Sequence, residues 1–145
     1  MIRKLKKEDQ KVFIELMNEF YRTDAVMALI STDKMEADFK EATSDSMYLD
    51  GLILEMNQEV AGYCLLAKGY STEAGGRVLW IEDIYMREPF RGKGLGKELM
   101  EYIFANYKDF KRYRLEVEEY NKRAVHLYQR YGFRFLPYQQ MFCDL

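Results

Sequence analysis

The stretch that most constrains the fold of this chain is residues 78–107. An apolar segment at 78–86, in which only Glu82 and Asp83 are charged, runs into a glycine-rich turn at 91–97 and then into an amphipathic pattern. Glycines allow successive backbone N–H groups to point into one concavity, and the first turn of a helix adds unpaired N–H groups and the positive end of its dipole. A strand, a glycine turn and a helix in this order therefore predict a cradle for an anion such as a phosphate.

Two well-known nucleotide-binding loops differ from this turn in spacing. A P-loop requires glycine at position 91 and serine or threonine at position 98, but the chain has Arg91 and Glu98. A dinucleotide-binding fingerprint requires glycine at position 97, where the chain has Lys97. The spacing therefore excludes both kinds of loop.

The turn that remains resembles the acetyl-CoA-binding signature of the Gcn5-related N-acetyltransferase (GNAT) family, through Arg91, Gly94 and Gly96 directly after a strand. A second pattern follows with the family's spacing, at Asn121, Tyr128, Tyr131, Gly132 and Phe133. The resemblance implies a single-domain α/β fold of the α+β kind. We expect a mixed, mostly antiparallel sheet of six to seven strands, a central parallel pair splayed apart, and about four helices packed on both faces.

Hydrophobic periodicity places the other elements around the central stretch. We predict an opening strand at 1–5, a helix at 8–20, and a second helix capped by Thr32 or Asp33 that reaches about residue 42. Two strands at 49–56 and 60–70 form a hairpin that leads into the central strand. A strand at 112–118 lies parallel to the central strand after a right-handed crossover, Asn121 caps a helix at 122–131, and residues 133–145 return as one or two strands.

Composition limits the classes of partner. The 145 residues are 48% apolar and 32% charged, which is the balance of one globular domain spanning residues 1–145. A net charge of −2 gives no general attraction to nucleic acid.

Cys64 and Cys143 have no partners at metal-ligand spacing, so we expect two buried reduced thiols and no metal. The first residues lack the apolar core of a signal peptide and no run approaches the ~18 residues of a membrane helix, so we expect a cytoplasmic protein without a membrane partner.

The resemblance implies acetyl-CoA as the acyl donor. Peptide groups of Ile84, Tyr85 and Met86 are expected to pair with the pantetheine amides much as another strand would, while the glycine turn holds the pyrophosphate. The residues expected to bind the donor are Ile84, Tyr85, Met86, Arg91, Gly92, Lys93, Gly94, Leu95, Gly96, Lys97, Asn121, Ala124 and Tyr128.

Acetyl transfer to an amine needs a base, because a free alkylamine has a pKa near ~10.4 and arrives protonated. Glu82 and Asp83 are the two carboxylates of the central strand, and alternation points their side chains to opposite faces. Similarity to the diamine acetyltransferases, which have a similar Leu-Glu-Asp strand, favours Glu82 as the base, acting through water. The alternative for Glu82 is an edge carboxylate paired with an arginine, and for Asp83 a structural or substrate-orienting role is favoured.

Tyr128 lies seven residues after Asn121, about two helical turns, so both residues face the same side of their helix. In the family this tyrosine approaches the thiol sulfur and acts as general acid. The alternatives are a core aromatic for Tyr128 and a plain helix cap for Asn121.

The resemblance also implies that the first two helices and their connection form one wall of the acceptor site, so Tyr21, Asp24 and Asp83 are expected to contact the substrate. The acidic residues near the expected cleft suit a small cationic amine such as a polyamine; they are Glu19, Asp24, Glu82 and Asp83. We expect direct attack in a ternary complex. The alternatives are a non-catalytic acyl-CoA sensor, a scaffold subunit, and a protein N-terminal or lysine acetyltransferase. Dimers are common in the family, so the resemblance also implies a homodimer with its contact through the C-terminal strands.

Overall fold

Five segments with alternating apolar residues form one sheet in the computed structural model, which describes residues 1–145. The strands are β1 (Ile2–Lys4), β2 (Leu49–Met56), β3 (Glu59–Ser71), β4 (Gly76–Met86) and β5 (Arg112–Leu115). They lie in the order β1-β2-β3-β4-β5. Neighbouring strands from β1 to β4 are antiparallel, whereas β4 and β5 are parallel. This is the mixed α/β sheet that the sequence predicts.

Four helices cover the two faces of the sheet, as predicted. They are α1 (Gln10–Phe20), α2 (Thr32–Ala42), α3 (Leu95–Asn106) and α4 (Lys122–Arg130), and short 3₁₀ turns lie at Lys7–Asp9 and Glu88–Phe90. Helices α1 and α2 bury their apolar stripes with Ile53, Tyr63 and Leu65 on one face. Helix α3 packs with Cys64 and Leu79 on the opposite face, where Tyr128 of α4 also lies. We call these the α1 face and the α3 face.

The predicted number of six to seven strands is wrong, because the sheet has five. Residues 133–145 form no strand. Pro137 lacks the N–H group that a ladder needs, and large side chains such as Phe135, Met141 and Phe142 stay exposed. The segment thus has no buried face that would hold it against β5.

The parallel pair separates after four residue pairs. Pairing runs from Val78 opposite Arg112 to Ile81 opposite Leu115. Beyond Ile81, β4 continues to Met86 without a partner strand on that side. The strand predicted to reach residue 118 therefore ends at Leu115, where the acidic run 116–119 begins. We call the gap between residues 82–86 and 116–119 the wedge.

A β-bulge lies at the mouth of the wedge. Leu66 of β3 pairs with Ile81 and Leu65 pairs with Asp83, so Glu82 is the extra residue. A bulge changes the alternation of side chains along a strand. Ile81 accordingly packs on the α3 face, whereas Asp83 reaches Tyr63 on the α1 face.

Two details of the sequence interpretation change. Helix α2 is capped by Ser31, whose Oγ accepts a hydrogen bond from the Lys34 N–H at 3.3 Å, and not by Thr32 or Asp33. Cys64 is buried as predicted, but Cys143 is exposed because it lies on the strandless C-terminal segment. None of the helices has both the length and the apolar character that crossing a membrane requires.

Candidate active site

The glycine turn leads directly into a helix N-terminus. Gly92 and Gly94 have φ values of +76° and +91°, a region in which a side chain is strained, and Gly94 is the N-cap of α3. The first N–H groups of α3 have no intrahelical partner. Leu95 is buried, so only its backbone is available to a ligand. The turn has the geometry of an anion cradle.

Four cations surround this turn. Arg91 donates from Nε to the Met86 carbonyl at 2.7 Å, Lys97 lies 3.6 Å from a carboxylate oxygen of Glu101, and Lys93 is exposed. The fourth is Arg123 of α4, since a Cβ placed on Gly92 would lie only 2.5 Å from its Nη2. Sequence reasoning missed Arg123, because nothing local indicates that α4 packs on the turn.

The edge of β4 is open along the wedge. Ile84, Tyr85 and Met86 pair with β3 on one side, and β5 pairs with no residue beyond Ile81 on the other. Arg91 occupies one of the open groups, the Met86 carbonyl. The structure therefore offers a free strand edge beside the glycine turn, as the resemblance requires of a pantetheine slot.

Helix α4 carries the second pattern. The Asn121 Oδ1 accepts a hydrogen bond from the Ala124 N–H at 3.3 Å, so Asn121 caps the helix. Tyr128 packs against the α3-face core and lies 5.9 Å from Phe133 between ring centroids. Burial raises the pKa of Tyr128 to about 12, and its hydroxyl makes no hydrogen bond within the protein. The Tyr128 hydroxyl thus keeps its proton and does not donate it in a hydrogen bond to any group of the protein.

Glu82 is the bulged residue and has no cationic partner. Glu82 is exposed, yet its pKa is raised, first by desolvation of the carboxylate and second by repulsion from Glu116 just beyond β5. The structure has no arginine paired with Glu82, so its carboxylate is free to exchange a proton.

Asp83 is held by two tyrosines. It is 7% exposed, its Oδ2 accepts a hydrogen bond from the Tyr63 hydroxyl at 2.9 Å, and the Tyr21 hydroxyl lies 3.4 Å from both carboxylate oxygens. Burial raises the pKa of Asp83 to about 6, and the two tyrosine hydrogen bonds oppose this rise. Sequence reasoning missed Tyr63, which looks like an ordinary core aromatic of a strand.

The carboxylates near the α1 face differ in availability. Glu19 forms an ion pair with Arg87 at 2.8 Å, so its charge is neutralised. Asp24 is exposed in the connection between α1 and α2. Asp38 of α2 is close enough to Asp83 and Tyr21 to affect both, and burial raises the pKa of Asp38. Asp38 was also missed, although a carboxylate within the apolar stripe of Met35 and Phe39 could have indicated it.

Replacing Asp83 by asparagine should make the fold more stable at neutral pH. The pKa of this carboxyl is about 6 in the folded protein and 3.8 in a free side chain. The folded state therefore loses stability relative to the unfolded chain as the pH rises from 3.8 to 6, because the buried carboxyl ionises less readily than the free one. Above pH 6 the cost is fully present, about 2 to 3 kcal/mol, and below pH 4 it disappears. Urea unfolding of Asp83→Asn and wild type at pH 4 and pH 8 measures the difference.

Asp50→Asn is the matched control for this substitution. Asp50 is paired with Lys68 at 2.8 Å and accepts a hydrogen bond from Tyr107 at 2.9 Å, so its loss should destabilise the fold at pH 8. A gain in stability for Asp50→Asn, or none for Asp83→Asn, would contradict the account of Asp83.

A cavity of about 880 Å³ lies between β5 and residues 133–140. Of the predicted site residues only Tyr128 lines it. It lies beside the unpaired edge of β5 and reaches Glu116 and Val117 at one border of the wedge.

Comparison with known proteins gives the family. A model of the acetyltransferase (GNAT) family matches residues 12–133. Thialysine N-epsilon-acetyltransferase of Bos taurus is 32% identical over 141 residues, which cover 91% of this chain and 82% of the relative. Spermine/spermidine N(1)-acetyltransferase of Bacillus subtilis is 35% identical over 78 residues, which cover 52% of this chain and 51% of the relative.

Solved structures share the fold. AAC(6')-Iy in complex with the bisubstrate analogue CoA-S-monomethyl-acetylneamine superposes with a TM-score of 0.79 at 17% identity, covering 100% of this chain and 97% of the other. A predicted acetyltransferase with acetyl-CoA from Clostridium acetobutylicum superposes with a TM-score of 0.77 at 17% identity, covering 99% and 95%. With the family match across most of the sequence, the chain belongs to the GNAT family and is an acetyl-CoA-dependent acyltransferase.

Proposed function

We propose that this enzyme transfers the acetyl group of acetyl-CoA to the primary amine of a small cationic molecule, by direct attack in a ternary complex. The observation that supports this most is the free Glu82 carboxylate, at a bulge between the open edge of β4 and the acidic α1 face. Two relatives are named for the acetylation of thialysine and of spermine or spermidine.

The donor site that we propose consists of the wedge and the glycine turn. Backbone groups of Ile84, Tyr85 and Met86 would receive the pantetheine arm, with Arg91 releasing the Met86 carbonyl. The N–H groups of residues 92–97 would hold the pyrophosphate. Lys93, Lys97 and Arg123 would add positive charge, while Asn121 and Ala124 border the arm. Acetyl-CoA supplies the acetyl group as a reactive thioester.

Two side chains would move the protons. Glu82 accepts a proton from the ammonium, directly or through water, and its raised pKa brings it closer to working pH. Tyr128 donates a proton to the leaving sulfur, and its pKa of about 12 keeps it protonated at neutral pH. The amine thereby becomes a nucleophile and the thiolate a neutral thiol. The second proton that the nitrogen loses as the amide forms replaces the one that Tyr128 donated, and Glu82 releases its proton to solvent.

The acceptor side that we propose is negatively charged. Asp83 and Tyr21 would orient the amine, and Asp24 would face its distal part from the loop. Glu19 is omitted from this set because Arg87 neutralises it. A cationic acceptor gains from this field, since opposite charges in a partly buried cleft attract more strongly than in water.

An amine panel tests the function. The purified protein is mixed with acetyl-CoA and polyamines, diamines, lysine analogues, free lysine or peptides with free N-termini, and the release of CoA thiol is followed. Turnover with small cationic amines and not with peptides is expected. Peptide-selective turnover would favour a protein acetyltransferase, and binding of acetyl-CoA without turnover on any amine would favour the sensor.

Replacing Gly94 by alanine should weaken acetyl-CoA binding about 10-fold. A side chain at φ +91° costs roughly 1–2 kcal/mol, and relief of this strain moves the N–H groups that converge on the pyrophosphate. Gly75→Ala is the matched control, because Gly75 also has positive φ (+69°) and open space around it but lies in the β3–β4 turn. Calorimetry should show weaker binding for the first variant alone; equal affinities would remove Gly94 from the cradle.

We also propose one N-acetyltransferase domain over residues 1–145, and a homodimer that uses residues 133–145. The outer edge of β5 has no partner, and Phe135, Met141 and Phe142 are 54%, 97% and 68% exposed. A second copy would pair the edge and cover these side chains. Sedimentation equilibrium tests this, and a monomer at all concentrations would contradict it.

The cytoplasmic location and the lack of metal, nucleic-acid and membrane partners stay predictions.

A further inference from the structure

Tyr63 makes the shortest hydrogen bond to Asp83. It is fully buried on β3, and its hydroxyl donates to Asp83 Oδ2 at 2.9 Å, whereas the Tyr21 hydroxyl is 3.4 Å from either oxygen. A hydrogen bond to an ionised acceptor in a buried setting is stronger than one between neutral groups. Tyr63 therefore defines the orientation of this carboxylate more than Tyr21 does.

The ring of Tyr63 is itself fixed. Phe13 packs edge-on at 5.3 Å between centroids with an interplanar angle of 71°, and Phe20 does so at 6.2 Å and 77°. Both phenylalanines belong to α1 and are buried. Since α1 and β3 clamp the ring, the hydroxyl has little freedom to follow a moving carboxylate. The Tyr63 hydroxyl therefore determines where the Asp83 carboxylate lies.

The bulge makes this contact possible. Asp83 pairs with Leu65 across the sheet, and the extra residue Glu82 turns Asp83 to the face that holds Tyr63. Without the bulge, Asp83 would share the α3 face with Ile81. The chain thus uses one backbone irregularity and one buried phenol to present a carboxylate beside the acceptor region.

We infer that Tyr63 is a positioning residue that holds Asp83 ionised and correctly oriented for a cationic acceptor amine. The inference rests on the proposed function and deepens it by assigning a role to a residue outside the family pattern. Tyr63 would touch neither donor nor acceptor, because its side chain is entirely covered. It acts through Asp83.

The charged and titratable groups around Asp83 are few. They are Tyr63 and the Cys64 thiol on β3, Tyr21 after α1, Asp38 on α2 and Glu82 on β4 itself. Glu82 and Asp38 repel the ionised form of Asp83, and only the two tyrosines favour it. Removing the Tyr63 hydroxyl should therefore raise the pKa of Asp83 from about 6 by roughly one unit, a 10-fold change in proton affinity.

The test is Tyr63→Phe, which keeps the ring and its packing. The kcat/KM for the best amine should fall about fivefold at pH 6 and recover at pH 9, while the KM for acetyl-CoA is unchanged. Tyr107→Phe is the control, because it also removes a buried hydroxyl that donates to a carboxylate at 2.9 Å, but at Asp50. Its pH profile should match wild type.

Two results would overturn the inference. One is a loss in Tyr63→Phe that is equal at every pH, or no loss; the other is an unmoved Asp83 carboxyl titration in ¹³C NMR spectra of the variant. The NMR measurement requires no turnover. If wild type acetylates no amine, the proposed function fails by itself, and an Asp83 titration that still shifts in the variant shows that Tyr63 favours the ionised form of Asp83 independently of that function.

Discussion

Tyr128→Phe is expected to lower kcat about 100-fold and to change the KM for acetyl-CoA less than about threefold. The substitution removes only the hydroxyl, which makes no hydrogen bond within the protein, so packing against Phe133 and the α3-face core is kept. Loss of a general acid slows departure of the thiolate and leaves ground-state binding intact. Steady-state kinetics with the preferred amine measure both constants.

The control for Tyr128 is Tyr113→Phe. Tyr113 is a partly buried tyrosine of β5 whose hydroxyl donates to the Tyr107 carbonyl at 2.8 Å, away from the wedge. Its removal should leave kcat within about twofold of wild type. An unchanged rate in Tyr128→Phe would exclude the general-acid role, and an equal loss in both variants would indicate a general loss of packing.

Glu82→Gln should also reduce kcat about 100-fold near neutral pH. Glutamine keeps the size of the side chain but cannot accept a proton from an ammonium that stays protonated up to a pH near ~10.4. The variant should recover activity at high pH, where the free amine becomes more abundant. Rate measurements from pH 6 to 10 distinguish this from a structural loss, which would show no recovery.

Glu116→Gln is the companion variant. Glu116 is exposed just beyond β5 and raises the pKa of Glu82 by repulsion, so its neutralisation should lower that pKa. The part of the acid limb of kcat/KM that Glu82 causes should move to lower pH, while the part that Asp83 causes, near pH 6, stays in place and the maximal rate changes little. An acid limb with no part that moves would mean that Glu82 does not titrate as the base.

Much of the fold is local in origin and was predictable from the sequence. The glycine turn, the amphipathic helices and the β2–β3 hairpin each follow from residues close together in the chain. The strand count was not predictable this way, because residues 133–145 look like strands by composition. Whether they pair depends on a distant edge, that of β5, and on Pro137 within the segment.

The candidate site, like the fold, contains residues that were predictable from the local sequence and residues that were not. Glu82, Asp83 and Tyr128 stand out because they are polar groups in apolar patterns. Tyr63 and Arg123 do not stand out, since a buried tyrosine and a helical arginine are ordinary residues. Their relevance comes from long-range packing, of β3 against β4 and of α4 against the glycine turn. Sequence reasoning therefore identified candidate chemistry but not the groups that orient it.

The extra residue of β4 also limits how this chain can change by insertion or deletion. Deleting Glu82 would keep the side chains of residues 83–86 on their present sides of the sheet, because Ile81 and Asp83 would then follow each other in regular alternation opposite Leu66 and Leu65. Deleting Ile84 instead would move Tyr85 and Met86 to the opposite sides. The fold can therefore absorb the loss of one residue at the bulge, although the Glu82 carboxylate is lost with it, but not beyond the bulge.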